Sequence, residues 1–366
     1  MNFEFTDDQK AIGRTAKEFL ETRYKFELVR ELASDERGFT DAQWDAIAEL
    51  GWPGVVISDE DGGLGLGAVE LVVIAEQLGY ALAPTPLLSS IAAGLVLGAA
   101  GTPAQKQRWL PQLASGEKRG AVATWDQHSG WDPARSEIEL AAGLLNATKI
   151  AVADADTADL LIVSGADGVH FLVERDAAGV TITAETPLDP TRKLYEVQLA
   201  GVAAEALTSG GGGAIAHAYA VIAAALAAEN VGVAQRTMEM AVEYARERKQ
   251  FDRPIGSFQA VAHRCAQMLL ETEGARSLTY GAAWALDHDP PSGLRAASMA
   301  KSYAGDAGYR VAASSLQVHG GIGFTWEHDL HFFLKRAKAN AHAYGDSRWH
   351  RERVIALAGA QEAYGT

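Results

Sequence analysis

The hydrophobic period of this chain changes twice, and that is the strongest constraint on what it can fold into. Up to about residue 118, apolar residues recur at helical spacing: Phe19, Leu20, Tyr24, Leu28 and Val29, then Trp44, Ile47, Ala48 and Leu50. From about residue 120 to 207 the pattern becomes short β-branched or alternating runs at 121–124, 160–163, 169–173, 180–182 and 195–199, separated by Gly, Asp and Pro turns. Ser209-Gly210-Gly211-Gly212-Gly213 reads as a flexible hinge. Helical spacing then returns from Ala214 onward, broken at 251–257, 288–292 and 319–327. A pattern of period 3.6 buries one face of a helix but not of a strand. The order is therefore helices, a small antiparallel barrel or sandwich, then a four-helix bundle, with expected domains at 1–118, 119–208 and 214–366.

Local signals agree with this order. Thr6-Asp7-Asp8-Gln9 has the form of a capping box. Thr102 is placed as an N-cap with Pro103 at the first helical position. The turn Asp61-Gly62-Gly63-Leu64-Gly65 precedes a helix expected over 69–82.

Composition excludes whole classes of function. With 32 basic and 47 acidic residues in 366, the formal net charge is −15, which argues against nucleic acid or anionic membrane as a partner. Cys265 is the sole cysteine, so no intrachain disulfide can form, which fits a reducing compartment. The start, Met1-Asn2-Phe3-Glu4, carries no basic region followed by an apolar core, and a cytoplasmic location is expected. Residues 214–228 are nearly uncharged, but the run is Ala-dominated and meets Glu229 and Asn230 before about 20 strongly apolar residues accumulate. It reads as a buried bundle helix rather than a membrane span.

The chemistry concentrates in Arg246-Glu247-Arg248-Lys249-Gln250-Phe251-Asp252-Arg253-Pro254-Ile255-Gly256-Ser257-Phe258-Gln259. This stretch leaves a helix, turns at Pro254 and Gly256, and re-enters a helix. Arg248 supplies a fixed guanidinium suited to a pyrophosphate, Phe251 a flat apolar face, and Gln250 and Gln259 amide groups. Gln317-Val318-His319-Gly320-Gly321-Ile322-Gly323-Phe324 adds a glycine loop that lets backbone approach a ligand.

These two stretches resemble the R-x-x-F…Q and Q-x-x-G-G-x-G signatures of the flavin-dependent acyl-CoA dehydrogenases. Phe5-Thr6-Asp7-Asp8-Gln9, Asp59-Glu60-Asp61-Gly62-Gly63-Leu64-Gly65, Gly101-Thr102-Pro103-Ala104-Gln105-Lys106 and Leu110-Pro111-Gln112-Leu113-Ala114-Ser115-Gly116-Glu117 resemble other motifs of that family, so the likeness covers essentially the whole chain. It implies FAD as cofactor, with Arg248, Gln250, Phe251, Gln259, Gln317, Gly320 and Gly321 reaching across a dimer interface to a neighbour's flavin. It also implies an acyl-CoA substrate and electron-transfer flavoprotein as electron acceptor.

Desaturating an acyl-CoA needs a flavin for the β-hydride, a carboxylate for the α-proton and a polarised thioester carbonyl. Several elements that the resemblance would supply are missing. Where the family has T-E-P-x-A-G-S-D, this chain has Thr124-Trp125-Asp126-Gln127-His128-Ser129-Gly130-Trp131-Asp132-Pro133. Where it has W-x-T-N, Lys149-Ile150 is followed by Ala151-Val152-Ala153-Asp154. Gly345, in Ala343-Tyr344-Gly345-Asp346, stands at the place of the usual catalytic Glu, and the alternative base and Arg positions fall on Ile222 and Ala223. The residues that flank CoA in common members become Ala220 and Ala223. Asp346 is the remaining carboxylate, to be read either as a displaced base or as a helix cap or ion-pair partner of Arg348, Arg351 or Arg353.

Other side chains read as structural. His128, His263, His319, His328, His342 and His350 lack metal-ligand spacing. Cys265 reads as packing, residues 335–338 as a solvated helix face or a minor CoA-phosphate contact, and Trp326-Glu327 as packing. The expectation is the companion subunit of an α2β2 acyl-CoA dehydrogenase, completing the FAD site of a homologous catalytic subunit. The alternatives are a self-sufficient homotetramer using Asp346 and a flavin-free structural paralogue. Flavin monooxygenases and nitroalkane oxidases share the fold.

Overall fold

The computed structural model describes residues 5–127, 129–130, 132 and 135–363, so readings that fall on Met1, Asn2, Phe3, Glu4, His128, Trp131 and Pro133 lie outside the described residues. The chain opens with helices α1 (Asp7–Arg23), α2 (Phe26–Ser34), α3 (Asp41–Glu49), α4 (Ala68–Ala81), α5 (Leu87–Ala100) and α6 (Pro103–Ala114). Strands β1 (Gly120–Ala123), β2 (Leu140–Ala141), β3 (Leu144–Ala153), β4 (Leu160–Ser164), β5 (His170–Glu174), β6 (Val180–Ala184), β7 (Leu194–Ala203) and β8 (Glu205–Leu207) follow. Then come the long helix α7 (Gly212–Glu247), a short hairpin of β9 (Lys249–Gln250) and β10 (Arg253–Pro254), and helices α8 (Gln259–His288), α9 (Pro290–His319), α10 (Leu330–His342) and α11 (Ser347–Ala363). These elements form two compact units. One takes the chain up to Arg30, Ala68–Ala83 and everything from Ala223; the other takes Glu31–Gly67 and Pro84–Ile222.

Both expected caps are in place. Thr6 accepts the Gln9 N–H while Gln9 Oε1 accepts the Thr6 N–H, and Thr102 and Gln105 repeat the arrangement ahead of Pro103. Each box satisfies donors that a helix start leaves orphaned.

The β region is a sandwich of two four-stranded sheets, ordered β1-β4-β5-β8 and β2-β3-β7-β6, and among the described residues no barrel closes. Its core interleaves Ala121, Leu161, Val163, Phe171 and Val173 of one sheet with Leu145, Val152, Tyr195, Val197 and Val202 of the other. The sandwich is not wholly antiparallel, because β1 pairs parallel with β4 from Gly120↔Leu160 to Ala123↔Val163. Strand β3, one of the two longest, escaped the sequence reading. Its ladder to β7 shifts register between Leu145 and Ala147 and again between Lys149 and Val152, so the alternation by which a strand is read is broken twice. Residues 209–213 are not a free hinge. Ser209 N–H donates to Ala100 O at 2.9 Å, and a Cβ on Gly210 would lie 2.0 Å from Ala99 O, so glycine there permits close backbone packing. Gly212 and Gly213 already belong to α7.

By length and composition α7 could cross a membrane, yet most of its apolar window is buried inside the protein. Its neighbours are helices, packed through small side chains: Ala227, Val231, Ala275, Ala282, Ala300, Ala304 and Ala307 form one alanine-rich core. Small residues let helix axes approach closely. At the crossing of α4 and α7 even a methyl group is excluded. A Cβ on Gly79 would lie 1.9 Å from Glu229 O, and one on Gly232 would lie 1.9 Å from Glu76 O.

Beside that crossing, Glu229 Oε1 accepts from Arg336 Nη1 at 2.6 Å and its Oε2 accepts from Asn340 Nδ2 at 2.8 Å. The Arg336 side chain is 1% exposed, which corrects the reading of 335–338 as a solvated face. Removing one partner of such a pair strands a buried charge. Glu229→Ala should therefore lose about 3–5 kcal/mol of stability, while Glu229→Met combined with Arg336→Met should recover most of it. Urea denaturation of the three proteins checks both values.

Candidate functional site

The stretch after α7 folds into a two-residue hairpin. Arg248 N–H donates to Tyr244 O at 2.8 Å, closing the helix, and Ile255 N–H returns to Arg248 O at 2.8 Å. Lys249 and Gln250 pair with Pro254 and Arg253, leaving Phe251 (φ 53°) and Asp252 (φ 59°) as the turn, both left-handed. That is the geometry of a type I′ turn, which normally takes Asn or Gly. A phenylalanine held there costs about 1–3 kcal/mol of backbone strain, and such positions persist where a site needs the side chain placed. Phe251 is 86% exposed. Its ring rests edge-on against Phe258 at 6.0 Å, and the Arg253 guanidinium covers Phe258 at 4.1 Å, so the hairpin is stiffened by its own side chains.

Arg248, Gln250 and Gln259 are exposed as well. Gln250 Nε2 turns back to Lys249 O at 2.9 Å, whereas the Arg248 guanidinium has no hydrogen bond or ion pair among the described residues. Gln317 is exposed in the last turn of α9, and Gly320 and Gly321 follow in a 3₁₀ turn, Gly320–Phe324. A Cβ on either glycine would meet nothing within 4 Å, so this loop presents bare backbone outward. The Gly320 N–H itself donates to Leu316 O, so what this residue contributes is its positive φ of 62° rather than a free donor.

The structure brings the hairpin and the glycine loop together through a contact that the sequence did not flag. Tyr244, in the last turn of α7, stacks on His319, the last residue of α9, with ring centroids 4.5 Å apart. His319 Nδ1 faces Ser315 O at 2.8 Å and must carry the proton, because a carbonyl can only accept. Tyr244 and His319 lie far apart in sequence, and no local pattern links them. Trp326, expected to pack, is 71% exposed, with Lys335 Nζ over its ring at 4.5 Å. Cys265 packs at the edge of the core beneath the hairpin, and burial raises its thiol pKa.

The segment matching the family's base is arranged in the opposite way. Tyr344 and Gly345 are both left-handed, at φ 56° and 107°, and a Cβ on Gly345 would lie 2.6 Å from the Trp349 ring and 2.9 Å from His350 Nε2. Position 345 therefore has no room for any side chain. Asp346 is the cap of α11: its Oδ1 accepts the Trp349 N–H at 2.9 Å. Arg348 pairs instead with Glu352, and Arg351 with Asp306. Below this turn lies Lys301, wholly buried, whose Nζ donates to Gly345 O at 2.9 Å and Ala341 O at 3.3 Å. Burial pulls its pKa down to about 7, against weaker support from Asp346 and Asp306. Ala220, Ile222 and Ala223 are all buried in α7 and carry no polar group.

In the stretch expected at the family's ring-binding strand, the Thr124 carbonyl and the Asp126 carboxylate are held by a buried lysine. Lys149, fully buried in β3, donates to Asp126 Oδ2 at 2.8 Å, Thr124 O at 3.1 Å, Ser164 Oγ at 3.2 Å and Ser136 Oγ at 3.3 Å. Asp126 and Ser129 exchange two further bonds, Ser129 N–H to Asp126 Oδ1 and Asp126 N–H to Ser129 Oγ. Ala151, at the place of the family's Trp, sits in the β3 bulge at φ 52° and gives its N–H to Glu185.

Residues 6–117 match the acyl-CoA dehydrogenase N-terminal domain and residues 210–358 the acyl-CoA dehydrogenase C-terminal domain. The acyl-CoA dehydrogenase IpdE2 of Mycolicibacterium smegmatis is 31% identical over 352 residues, covering 96% of this chain and 99% of the relative. Among solved structures, a variant of the Tcur3481-Tcur3483 steroid ACAD superposes with a TM-score of 0.89 at 28% identity, covering 98% of this chain and 99% of that one. A chain of the ChsE4-ChsE5 complex from Mycobacterium tuberculosis gives 0.86 at 28% identity, covering 99% of both. The chain belongs to the acyl-CoA dehydrogenase family, whose cofactor is FAD. The exposed donor set fits that cofactor's chemistry, with a guanidinium for the pyrophosphate, amides, and an unobstructed aromatic face.

Two outcomes are expected. Gly345→Glu should lower the melting temperature and create no activity, because the added Cβ collides before its carboxylate can be placed. Between about pH 7 and 10.5 the unfolded chain holds the Lys301 proton that the folded chain releases, so stability should rise with pH by up to about 1.4 kcal/mol per unit. Lys301→Met should flatten that slope in urea titrations across the window.

Proposed function

We propose that this chain is the companion subunit of a heteromeric acyl-CoA dehydrogenase, and that its hairpin and glycine loop complete the FAD site of a homologous catalytic subunit. One contrast carries the reading: Arg248, Phe251, Gln259 and Gln317 face outward, while position 345 is sterically closed. A site meant for this chain's own flavin would need partners near Thr124 and Asp126. The Thr124 carbonyl and the Asp126 carboxylate are engaged by Lys149, Ser129, Ser136 and Ser164.

Bound FAD would supply the acceptor for the hydride from the β-carbon of the acyl chain, with an electron-transfer flavoprotein as the onward electron acceptor. The contribution of this chain is to bind and orient. Arg248 offers a charge-assisted contact to a phosphate, and Phe251 a flat surface. The α-proton is then taken by a carboxylate of the partner, since Asp346 caps α11 and Gly345 has no side chain. Similarity to a chain of the ChsE4-ChsE5 complex supports a mixed assembly, and similarity to a steroid ACAD supports a bulky acyl-CoA as the substrate class.

The test is flavin content and subunit composition of the chain purified alone and co-expressed with a homologous dehydrogenase. We expect a colourless protein alone, and a yellow mixed tetramer with about half a flavin per chain. Arg248→Ala should weaken FAD binding in the complex by about 1.5–3 kcal/mol. A yellow homotetramer that turns over acyl-CoA unaided would sink the proposal.

A further inference from the structure

The glycine loop is held by few bonds of its own: the Gly320 N–H donates to Leu316 O, and the Thr325 N–H and hydroxyl both donate to Ile322 O. A Cβ on Gly320 or Gly321 would meet nothing within 4 Å, Ile322 and Phe324 are exposed, and Gly323 is buried against Leu316 and His319. Ordering such a segment is entropically costly, because glycine loses more conformational freedom than any other residue. The residues that flank the loop add a second restraint, and one side chain gathers them.

Arg30, on α2, donates Nη1 to Trp326 O at 2.9 Å and Nη2 to Glu327 O at 3.0 Å. Its Nε and Nη2 both reach Asp329 Oδ1, at 2.8 and 2.5 Å. Its guanidinium lies 5.2 Å from the Phe332 ring and 5.9 Å from Phe26, which fix the plane of the fork. One planar group thus ties together the Trp326 and Glu327 carbonyls and the Asp329 carboxylate, just after the loop. Asp329 stands at the N-cap of α10 yet makes no cap bond, because its carboxylate faces Arg30. The cap is supplied by its neighbour: His328 Nδ1 accepts the Leu330 N–H at 3.3 Å. The His328 ring abuts His319 at 4.7 Å, His319 stacks on Tyr244, and Tyr244 O holds the Arg248 N–H. A continuous set of contacts therefore runs from Arg30 to the hairpin.

We infer that Arg30 is a positioning residue for the flavin cradle: by clamping 326–329 it holds the glycine loop in register with the Arg248 hairpin. The inference rests on the companion reading above and assigns Arg30 no contact with the cofactor. A lysine cannot replace it, because a single ammonium cannot span two carbonyls and a carboxylate in one plane.

The experiment uses the co-expressed complex, stripped of flavin and titrated with FAD, with binding followed by flavin fluorescence. Arg30→Met and Arg30→Lys should each raise the dissociation constant for FAD about tenfold, since retained charge without the fork does not restore the geometry. Asp329→Asn should raise it less. Amide exchange should quicken across 320–329 in both Arg30 variants while α8 and α9 stay protected. Should Arg30→Met not assemble, Arg30→Lys provides the same readouts. A wild-type dissociation constant in the Arg30 variants beside a weakened Arg248→Ala overturns the role of Arg30. A wild-type value in the Arg248 variant as well overturns the companion reading with it.

Discussion

Glu229 and Arg336 meet 2.6 Å apart with almost no exposure, and the Asn340 amide takes the second carboxylate oxygen. In so dry a place neither charge is tolerable alone, so α10 can sit against α7 in only one register. The glycines that bring the backbones of α4 and α7 into contact fix where Glu229 lies, and Arg336 then fixes α10. The glycine-loop segment and the segment at the place of the family's base both adjoin that helix. Residues 320–329 lead into its start and 343–346 leave its end, so each inherits its position from a buried ion pair.

From that common frame the two stretches take opposite forms. Before α10, the loop exposes bare backbone and the Phe324 and Trp326 rings, and through His319 and Tyr244 it joins a hairpin that presents Phe251 outward. After α10, the chain turns through two left-handed residues whose carbonyls accept from His350 and Lys301, and the space above Gly345 is filled by Trp349. The first arrangement leaves backbone and aromatic rings exposed; the second closes over Gly345 and engages the carbonyls of Tyr344 and Gly345. The buried Lys149–Asp126 pair treats the β-sandwich segment likewise. This contrast between exposed and closed stretches is the one on which the proposed companion role rests.

Much of this was legible beforehand, because it depends on near neighbours in sequence. The capping box at Thr6, the N-cap at Thr102 and the helix break after His319 follow from residues within a few positions of one another, whereas the turn expected at Pro254 and Gly256 falls at Phe251 and Asp252. Arg336 was misread for the converse reason. Within Lys335-Arg336-Ala337-Lys338 it looks like one more surface cation, and only its distant partner Glu229 makes it a core residue. Trp326 erred the other way, since an aromatic was assumed to find a core. Strand β3 was lost to its two register shifts, and residues 209–213 looked loose because five small residues in a row do not show what backbone lies beside them.

The sequence by itself determined the order of helical and β segments and the family, and it singled out the residues of the exposed hairpin and glycine loop, because periodicity, turn chemistry and motif spacing are written locally. Only the tertiary structure decided that position 345 is closed, that Lys149 and Asp126 satisfy each other, and that Arg30 clamps the far side of the glycine loop. Those facts depend on pairs as far apart as Arg30 and Asp329, whose meeting is set by how helices pack around buried charge and close backbone contacts.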